Sequence, residues 1–550
     1  MDISKDMHVK ECAGWLWRAS KGIRGSVSWS ALAGIVNVTV SLTFIYVCKH
    51  LIDIVTGHSD DELSVYVGLM FGCIAMQMLL SVVKGRLESR LEIRFRNRLR
   101  DKLFAHLMST QWTGRDSLHT GDMLNRLEED VMTVSDAVCR TVSSVIVTLF
   151  RLAGAMFILS SLDVRLACVL FFIMPLALLF SKSYMRRMRR LTRDIRSTDS
   201  RVQSLLQEHL QHRILIRTLE YTDRATGMLG RLQGDLQRLF DRRTDFSIFS
   251  RLMVRIGFAV GYATAFLWGI YGLRDGTVTF GMMAAFLQLV SQIQNPIVEL
   301  SRKIPSFIRV FTSTERLAEL TDMPLEQQGE SQRLEGEIGV RFVDVTFRYP
   351  EGKRDVLAGF SHDFMPGSLT AIVGETGAGK STMMRLMLAL LLPGKGKVTF
   401  YNGSREITAS PLTRCNVSYV PQGNTLLSGT IRDNLLMGNP DATDEELKAA
   451  LHTAVADFVF SLPEGLDTRC GEQGSGISEG QAQRIAIARG LLRPGGVVLL
   501  DEPTSSLDGE TERLLMERLA GQVHGKTLIL ITHREAMAQL CTEVVRIGKP

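Results

Sequence analysis

Six apolar blocks, each close to the length of a bilayer crossing, govern what this chain can fold into. They run over about 28–48, 64–83, 141–162, 164–183, 253–273 and 279–299. A membrane span needs about 20 mostly apolar residues, and inside hydrocarbon the backbone must satisfy its own hydrogen bonds, so each block is expected as a helix. Two connections between blocks are long, Lys84 to Arg140 and Lys182 to Leu252. Both are rich in Arg and Leu with almost no proline, and read as continuous amphipathic helix projecting tens of Å out of the bilayer at about 1.5 Å per residue.

The basic residues orient the bundle. "KGRLESRLEIRFRNRLRDK" follows the second block and "KSYMRRMRRLTRDIR" the fourth, whereas "DIVTGHSDDELS", "SSLDVR" and "GLRDGTVTF" on the other side are short and poor in Lys and Arg. The positive-inside rule then puts the long helices, the N-terminus and the C-terminal part in the cytoplasm. Residues 1–26 are polar and basic without a small-residue cleavage site, so no cleavable signal peptide is expected. Trp15, Leu16 and Trp17 beside Arg18, Lys21 and Arg24 suit a short helix lying on the membrane surface.

Two polar features interrupt the spans. Arg151 falls mid-span in "VIVTLFRLAGAMFILS". An unpaired arginine there costs about 2.5–3.5 kcal/mol on insertion scales, so it should face protein or water. It either meets a polar or anionic part of a substrate or pairs with a neighbouring helix. In the sixth span Gln288, Ser291, Gln292, Asn295 and Glu299 repeat at helical spacing on one face. Such a stripe lines a cavity or bonds to another helix, and its depth favours the cavity. Arg151, Gln288, Gln292 and Asn295 are the candidate substrate contacts.

Overall averages, 45% hydrophobic and 22% charged, hide a composition split near Thr321. The net charge of +6 is concentrated between apolar blocks, not spread as a nucleic-acid-binding face. Eight cysteines without a CxxC or Cys/His cluster argue against a disulfide framework and a zinc site, and suit free thiols in a reducing cytosol. "DMPLEQQGESQRLEGE" reads as a linker, and from Gly339 short β-type runs alternate with helices. The expected organisation is an interfacial segment over 1–26, a transmembrane domain over 27–321, a linker over 322–338 and an α/β nucleotide-binding domain over 339–550.

"LTAIVGETGAGKSTMMRLMLALLL" is strand, Gly-rich loop, helix, and Gly374 to Ser381 fits GxxxxGK[ST]. Gly374, Glu375, Thr376, Gly377, Ala378 and Gly379 form a loop whose backbone N–H groups can close around phosphates, helped by the helix N-terminus. Lys380 reaches the outer phosphates, Ser381 is placed to ligand Mg²⁺, and Thr382 follows in the same turn. "GGVVLLDEPTSSLD" adds a second buried strand ending in two carboxylates. Asp501 would hold the Mg²⁺ shell and Glu502 would polarise an attacking water as general base.

With these residues in view, essentially the whole chain resembles an ATP-binding cassette (ABC) exporter of the half-transporter kind, six membrane helices followed by one P-loop NTPase domain. Tyr349 in "FRYP" matches the aromatic that stacks on adenine. Gln422 in "SYVPQG" matches the glutamine that contacts Mg²⁺ and relays to the membrane domain. Ser505 to Asp508 match the loop after the catalytic glutamate, and His533 in "ITHR" matches the histidine that contacts the γ-phosphate. "LLSGTIRDNLLMG", "HTGDMLNRLEEDV" and "GTVTFGMMAAF" are similar to recurring exporter segments, and the turns near Gln111–Leu118 and His212–Glu220 should be coupling helices. "GEQGSGISEGQAQR" is similar to the signature LSGGQ, but reads Ile477-Ser478-Glu479-Gly480-Gln481. In the family this motif points at ATP held by a second subunit, so Ser478, Gly480 and Gln481 would face the partner's γ-phosphate. Glu479 is tolerated if it turns aside, where a carboxylate suits a helix N-terminus, and weakens the site if it aims at the phosphate; the intact Glu502 and His533 favour tolerance.

The resemblance implies an ATPase coupled to transport in a bacterial inner membrane. ATP and Mg²⁺ are the expected cofactors. The expected partners are a second half-transporter, identical or different, membrane lipid and a small amphiphilic substrate, with no nucleic acid. Rival readings are an ATP-gated regulatory membrane protein, which would not need Glu502 and His533, and an importer on the same fold. The chain begins without a peptidase-like extension, which lowers the expectation of leader-peptide processing, and "RIGKP" ends a little earlier than the family leads one to expect.

Overall fold

The computed structural model describes residues 9–112, 120–179, 181–350, 352, 354–471, 476–521 and 525–548. They group into two compact units, Met1–Leu103 with Leu124–Leu320, and Phe104–Met123 with Thr321–Pro550.

The first unit is helical. An 11-residue helix, Val9–Ala19, carries the N-terminal tryptophans, and the Arg24 guanidinium lies 3.8 Å over the Trp17 ring. Arg24–Val55, Leu63–Met108, Gly121–Leu162 and Thr222–Arg274 are each long and apolar enough to cross a membrane. These contain the first, second, third and fifth expected spans. The fourth and sixth fall on Val164–Leu179, of 16 residues, and Phe280–Thr321, whose 42 residues include Pro296, Pro305 and the polar stripe.

The long connections differ from expectation, for neither is one continuous helix. The second span runs on to Met108, about 70 Å of helix at 1.5 Å per residue, and helix resumes at Thr120, the intervening 113–119 lying outside the described residues. The other connection is Ser181–Gln211, a short Arg213–Thr218 helix and then Thr222–Arg274. Glu220, at φ +53°, ends the short helix in a left-handed turn. The chain thus goes out and returns, which a single helix cannot do.

Close packing in this unit uses glycines. A Cβ on Gly34 would lie 2.4 Å from Val147, and one on Gly154 would lie 2.6 Å from Leu42. These contacts bring Arg24–Val55 against Gly121–Leu162 with small residues at the crossing, which suits association where no water drives it. Val38, Leu42, Ala155, Leu159, Phe286 and Leu289 are buried in the resulting core. At its far end Asp53, buried, accepts from the Gly281 N–H at 3.1 Å and from Lys49 Nζ at 2.9 Å. One carboxylate therefore ties the end of the first membrane helix to the start of the last. Asp163 plays a similar part in "SSLDVR", capping Val164–Leu179 through the Arg165 and Leu166 N–H groups and accepting from Trp268 Nε1 at 2.8 Å.

Polar locks hold the Arg-rich region. Arg126, buried, donates to Glu319 Oε2 and to the Arg316 carbonyl, both at 2.7 Å, and Ser313 donates to Asp130 at 2.7 Å. Glu92 sits between Arg96 and Arg140, the latter at 2.8 Å. Two π-helical turns, Arg126–Asp130 and Ala137–Thr141, interrupt the Gly121–Leu162 helix beside these locks.

The second unit is α/β. Its strands are β1 (Gly339–Phe347), β2 (Leu357–Phe364), β3 (Leu369–Gly374), β4 (Lys395–Asn402), β5 (Arg405–Thr408), β6 (Val417–Val420), β7 (Gly429–Thr430), β8 (Arg469–Cys470), β9 (Val497–Asp501), β10 (Thr527–Ile531) and β11 (Glu543–Ile547). A parallel sheet has the order β11-β3-β10-β9-β6, and an antiparallel sheet the order β2-β1-β4-β5. "VVLLD" and "TLILI" are buried at every position, as expected for parallel strands covered on both faces. Ser109, Thr110 and Gln111 belong with this unit. Thr110 pairs antiparallel with Leu325, Gln111 N donates to the Pro324 carbonyl at 2.8 Å, and Glu326 N to the Ser109 carbonyl at 2.9 Å.

A side chain at Gly281 tests the helix-end lock, because its Cβ would meet the Lys49 carbonyl at 2.3 Å. Gly281→Ala should destabilise by about 1–3 kcal/mol, an overpacking cost against backbone that cannot swing away. Thermal unfolding in detergent should show a lowered midpoint; an unchanged midpoint would mean the two helix ends are not in contact.

Candidate functional site

Four strand ends of the parallel sheet deliver the chemistry. β3 ends at Gly374, where a Cβ would sit 2.4 Å from the Ile547 carbonyl, so β11 leaves room only for glycine. The loop then turns through Gly377 at φ +84° and Gly379 at φ +98°, values unfavourable for a residue with a Cβ. A Cβ on Gly377 would meet nothing within 4 Å, which leaves open space on the loop's outer side for a phosphate chain. Lys380 Nζ donates to the Gly374 and Glu375 carbonyls at 2.7 and 3.0 Å. Burial lowers the Lys380 pKa, with Glu502 and Asp501 pulling it the other way. Ser381 opens the Lys380–Met387 helix and is half-buried.

β9 ends in Asp501 and leads into Glu502. Asp501 is buried, and its pKa is raised first by that burial and then by the Glu502 charge, against the Tyr419 hydrogen bond, Arg385 and Lys380. Tyr419, pushed up to about 12 by burial and then by Asp501, keeps its proton and lies 3.4 Å from Asp501 Oδ2.

Glu502 adopts φ +49°, the left-handed region, at a cost of about 1–2 kcal/mol for a residue with a Cβ. The surroundings hold it there. Its N–H donates to the Ile531 carbonyl at 3.1 Å, and its carbonyl accepts from Gln483 Nε2 at 2.8 Å. Gln422 Nε2 donates to Oε2 at 2.7 Å, and His533 Nε2 lies 3.2 Å from Oε1. The Gln422 amide carbonyl is left as an acceptor for a cation. Gln422, Glu502 and His533, read from three separate stretches, thus converge on one carboxylate.

Tyr349 is half-buried, edge-on to Phe347 at 5.0 Å, and its hydroxyl meets Thr382 Oγ1 at 3.2 Å. Within this chain the signature residues build the start of a helix. Ser478 caps the Glu479–Leu492 helix, its Oγ accepting from Gln481 N at 3.3 Å, while Gln481 Oε1 accepts from Ser478 N at 3.0 Å. This is a reciprocal cap. Gly480 is needed for packing, since a Cβ there would meet the Ser506 carbonyl at 2.6 Å. Glu479 is exposed at the first helical position and takes no part in the cap. Gly474 and Ser475, which precede the motif, lie outside the described residues. Asp508 caps the Gly509–Ala520 helix through Thr511 N at 2.9 Å.

In the first unit the polar stripe faces away from the core. Gln288 and Gln292 are half-buried and Asn295 exposed, while Phe286, Leu289 and Ile293 of the same helix are buried. Gln294, buried and outside the stripe, bonds across helices by donating to the Phe258 carbonyl at 3.1 Å, and Glu299 of the stripe accepts from Thr148 Oγ1 of another helix at 3.2 Å. Arg151 is half-buried. Gln483, Tyr419 and Arg385 were not singled out from the sequence. Gln483 could have been noticed three positions after Gly480 in "EGQAQR", but the other two contacts have no local signal.

Residues 28–297 match the ABC transporter transmembrane region family, and residues 357–505 the ABC transporter family. A putative multidrug export ATP-binding/permease protein, YgaD, of Bacillus subtilis (strain 168) is 30% identical, over 79% of this chain and 75% of that protein. The chain belongs to the ABC transporter family. A multidrug resistance ABC transporter ATP-binding and permease protein of Lactococcus lactis subsp. lactis (strain IL1403) is 27% identical over 92% of this chain and 85% of its own length. The ATP-dependent lipid A-core flippase of Bordetella avium (strain 197N) is 28% identical over 78% and 73%. A bacterial Atm1-family ABC exporter solved with ATP bound superposes with a TM-score of 0.77 at 21% identity, over 96% of this chain and 94% of that one. This ABC transporter is therefore a multi-pass membrane ATPase with the exporter fold, joining the transmembrane and ATP-binding parts in one chain.

Because the Asp501 pKa is raised, folding disfavours its charged form. The relative stability this confers is fully present below the ordinary carboxylate pKa and lost as pH rises through the raised value. Asp501→Asn should therefore raise the unfolding midpoint of the nucleotide-free ABC transporter at pH 7.5, with the gain shrinking as pH falls toward 4, while ATP hydrolysis is lost. A midpoint that falls at pH 7.5 would contradict this account of the buried carboxylate.

Proposed function

We propose that this chain is one half of an ATP-driven exporter of amphiphilic, lipid- or drug-like molecules in a bacterial cytoplasmic membrane. Two such chains, identical or different, sandwich two ATP molecules, and the bundle alternates between inward- and outward-facing states to which ATP binds unequally. The observation that carries the hydrolytic part is the convergence of Gln422 and His533 on Glu502. A carboxylate held from both oxygens in a strained backbone is positioned to take a proton from water. His533 also stands where it can donate toward a terminal phosphate.

Tyr349 stacks on adenine. Gly374 to Gly379 cradle the phosphates with their N–H groups, and Lys380 leaves its two loop carbonyls to take the outer phosphates. Ser381, the Gln422 carbonyl and Asp501 would hold Mg²⁺, an oxygen donor set that suits that ion. When bound, Mg²⁺ neutralises charge on the phosphates. Ser478, Gly480 and Gln481 serve the nucleotide of the partner chain, and Glu479, clear of the cap, is compatible with that role.

The names of the multidrug and lipid A relatives support an amphiphilic cargo. Arg151, Gln288, Gln292 and Asn295 would meet its polar part. Coupling at the Arg213–Thr218 helix is supported by the exposed apolar side chains of Ile214, Leu215 and Leu219 around it.

Mg²⁺-ATPase of the chain purified alone in lipid is the direct test. Glu502→Gln should lower turnover by about 10²–10⁴-fold while ATP still binds. Equal turnover in mutant and parent would remove Glu502 from the chemistry. Arg151→Ala should blunt stimulation of ATPase by lipids or amphiphilic drugs and leave the basal rate within about twofold; unchanged stimulation would remove Arg151 from the cargo path.

A further inference from the structure

The P-loop helix carries an arginine whose contacts go beyond its charge effect on Asp501. Arg385 lies in the last turn of Lys380–Met387. Its Nη1 donates to the Tyr349 hydroxyl at 3.1 Å. Having accepted from Arg385, that hydroxyl can give its own proton to Thr382 Oγ1, 3.2 Å away. The guanidinium carbon of the same arginine lies 4.9 Å from the centre of the Trp112 ring, within cation–π range. Trp112 is half-buried against the core that joins the antiparallel sheet to the P-loop helix.

The chain just before Trp112 is fastened. Besides the pairing of Ser109 to Gln111 with Pro324 to Glu326, His106 Nε2 lies 3.2 Å from the Met323 carbonyl. Glu326 in turn takes both terminal nitrogens of Arg414 at 2.6 and 2.7 Å. Trp112 is thus held by its own backbone on one side and by Arg385 on the other.

We propose that Arg385 is a positioning residue that sets the Tyr349 ring for the nucleobase and links its occupancy to Trp112. This rests on the reading of Tyr349 as the adenine contact. Two groups far apart in sequence, Tyr349 and Trp112, meet on one rigid guanidinium, which offers separate N–H donors and a flat face at once. A lysine keeps the charge but has neither the fork nor the plane. A base settling on Tyr349 moves a hydroxyl that Arg385 holds, and the guanidinium passes that shift to the indole. Phosphates alone, bound at the loop, do not touch this chain of contacts.

The experiment uses the full chain in lipid nanodiscs, with two probes, Mg-ATP and Mg-tripolyphosphate. Trp112 emission is isolated as the difference between the parent and Trp112→Phe. In the parent, Mg-ATP should shift this emission and saturating Mg-tripolyphosphate should not. Arg385→Lys should remove the shift and weaken Mg-ATP binding by roughly three- to tenfold, the worth of one ordering hydrogen bond, with tripolyphosphate binding unchanged. Retained tripolyphosphate binding also reports that the variant is folded. An equal emission shift with both probes in the parent, or equal weakening of both in Arg385→Lys, would overturn the link while leaving the ATPase reading intact. Failure of the parent to bind Mg-ATP would overturn both.

Discussion

One rung of the parallel sheet carries the nucleotide site. Ile531 of β10 pairs with Ile372 of β3 on one side and with Asp501 of β9 on the other. The P-loop leaves from just beyond Ile372, the acidic pair from Asp501, and His533 from two residues past Ile531. The Ile531 carbonyl also takes the Glu502 N–H, fixing the strained turn by which the catalytic candidate leaves its strand. Hydrophobic burial of "TLILI" holds β10 in the sheet, and a one-residue slip would carry Ile531 out of line with both Ile372 and Asp501. Strain at Glu502, about 1–2 kcal/mol, is small beside that burial.

The same economy of contacts appears in the helical unit. Apolar helices in a bilayer gain little from apolar burial alone, so their ends and crossings are specified by groups with few alternatives. Asp53 bonds a backbone N–H that would otherwise be an orphan of a helix start, and Asp163 does so for another helix. Glycines at 34, 154, 269 and 281 allow close approaches between helices. Away from the spans, where water competes, the locks are charge pairs instead, Arg126 with Glu319 and Glu92 with Arg140. Breaking one partner of the buried Arg126 pair would leave a charge without compensation, which costs more than the pair contributes when intact.

The phosphate loop, the Asp501–Glu502 pair and most of the spans were legible because each is a short local pattern: an apolar run, a glycine spacing, a carboxylate at a strand end. The break near His212–Glu220 was legible in position, while 113–119 of the other expected turn lie outside the described residues; the expectation of uninterrupted helices was not met, since left-handed backbone at Glu220 has no reliable signature in a helix-forming sequence. Gly480 also makes room for the Ser506 carbonyl, a packing demand that the motif itself does not reveal. The polar stripe was legible as a periodic pattern, but Gln294, off the stripe, also joins helices, as Glu299 within it does. Its role depends on which neighbour faces it, and periodicity says nothing of that.

What the sequence determined by itself is therefore the set of elements and the chemistry each can offer: apolar helices, a phosphate loop, a buried strand tipped with acid. These follow from the propensities and periodicities of neighbouring residues. Tertiary structure alone decided which offers are combined. Gln422 and His533 meet on Glu502, and Trp112 and Tyr349 meet on Arg385, because hydrogen bonds and ring contacts act over about 3–6 Å in space whatever the distance along the chain.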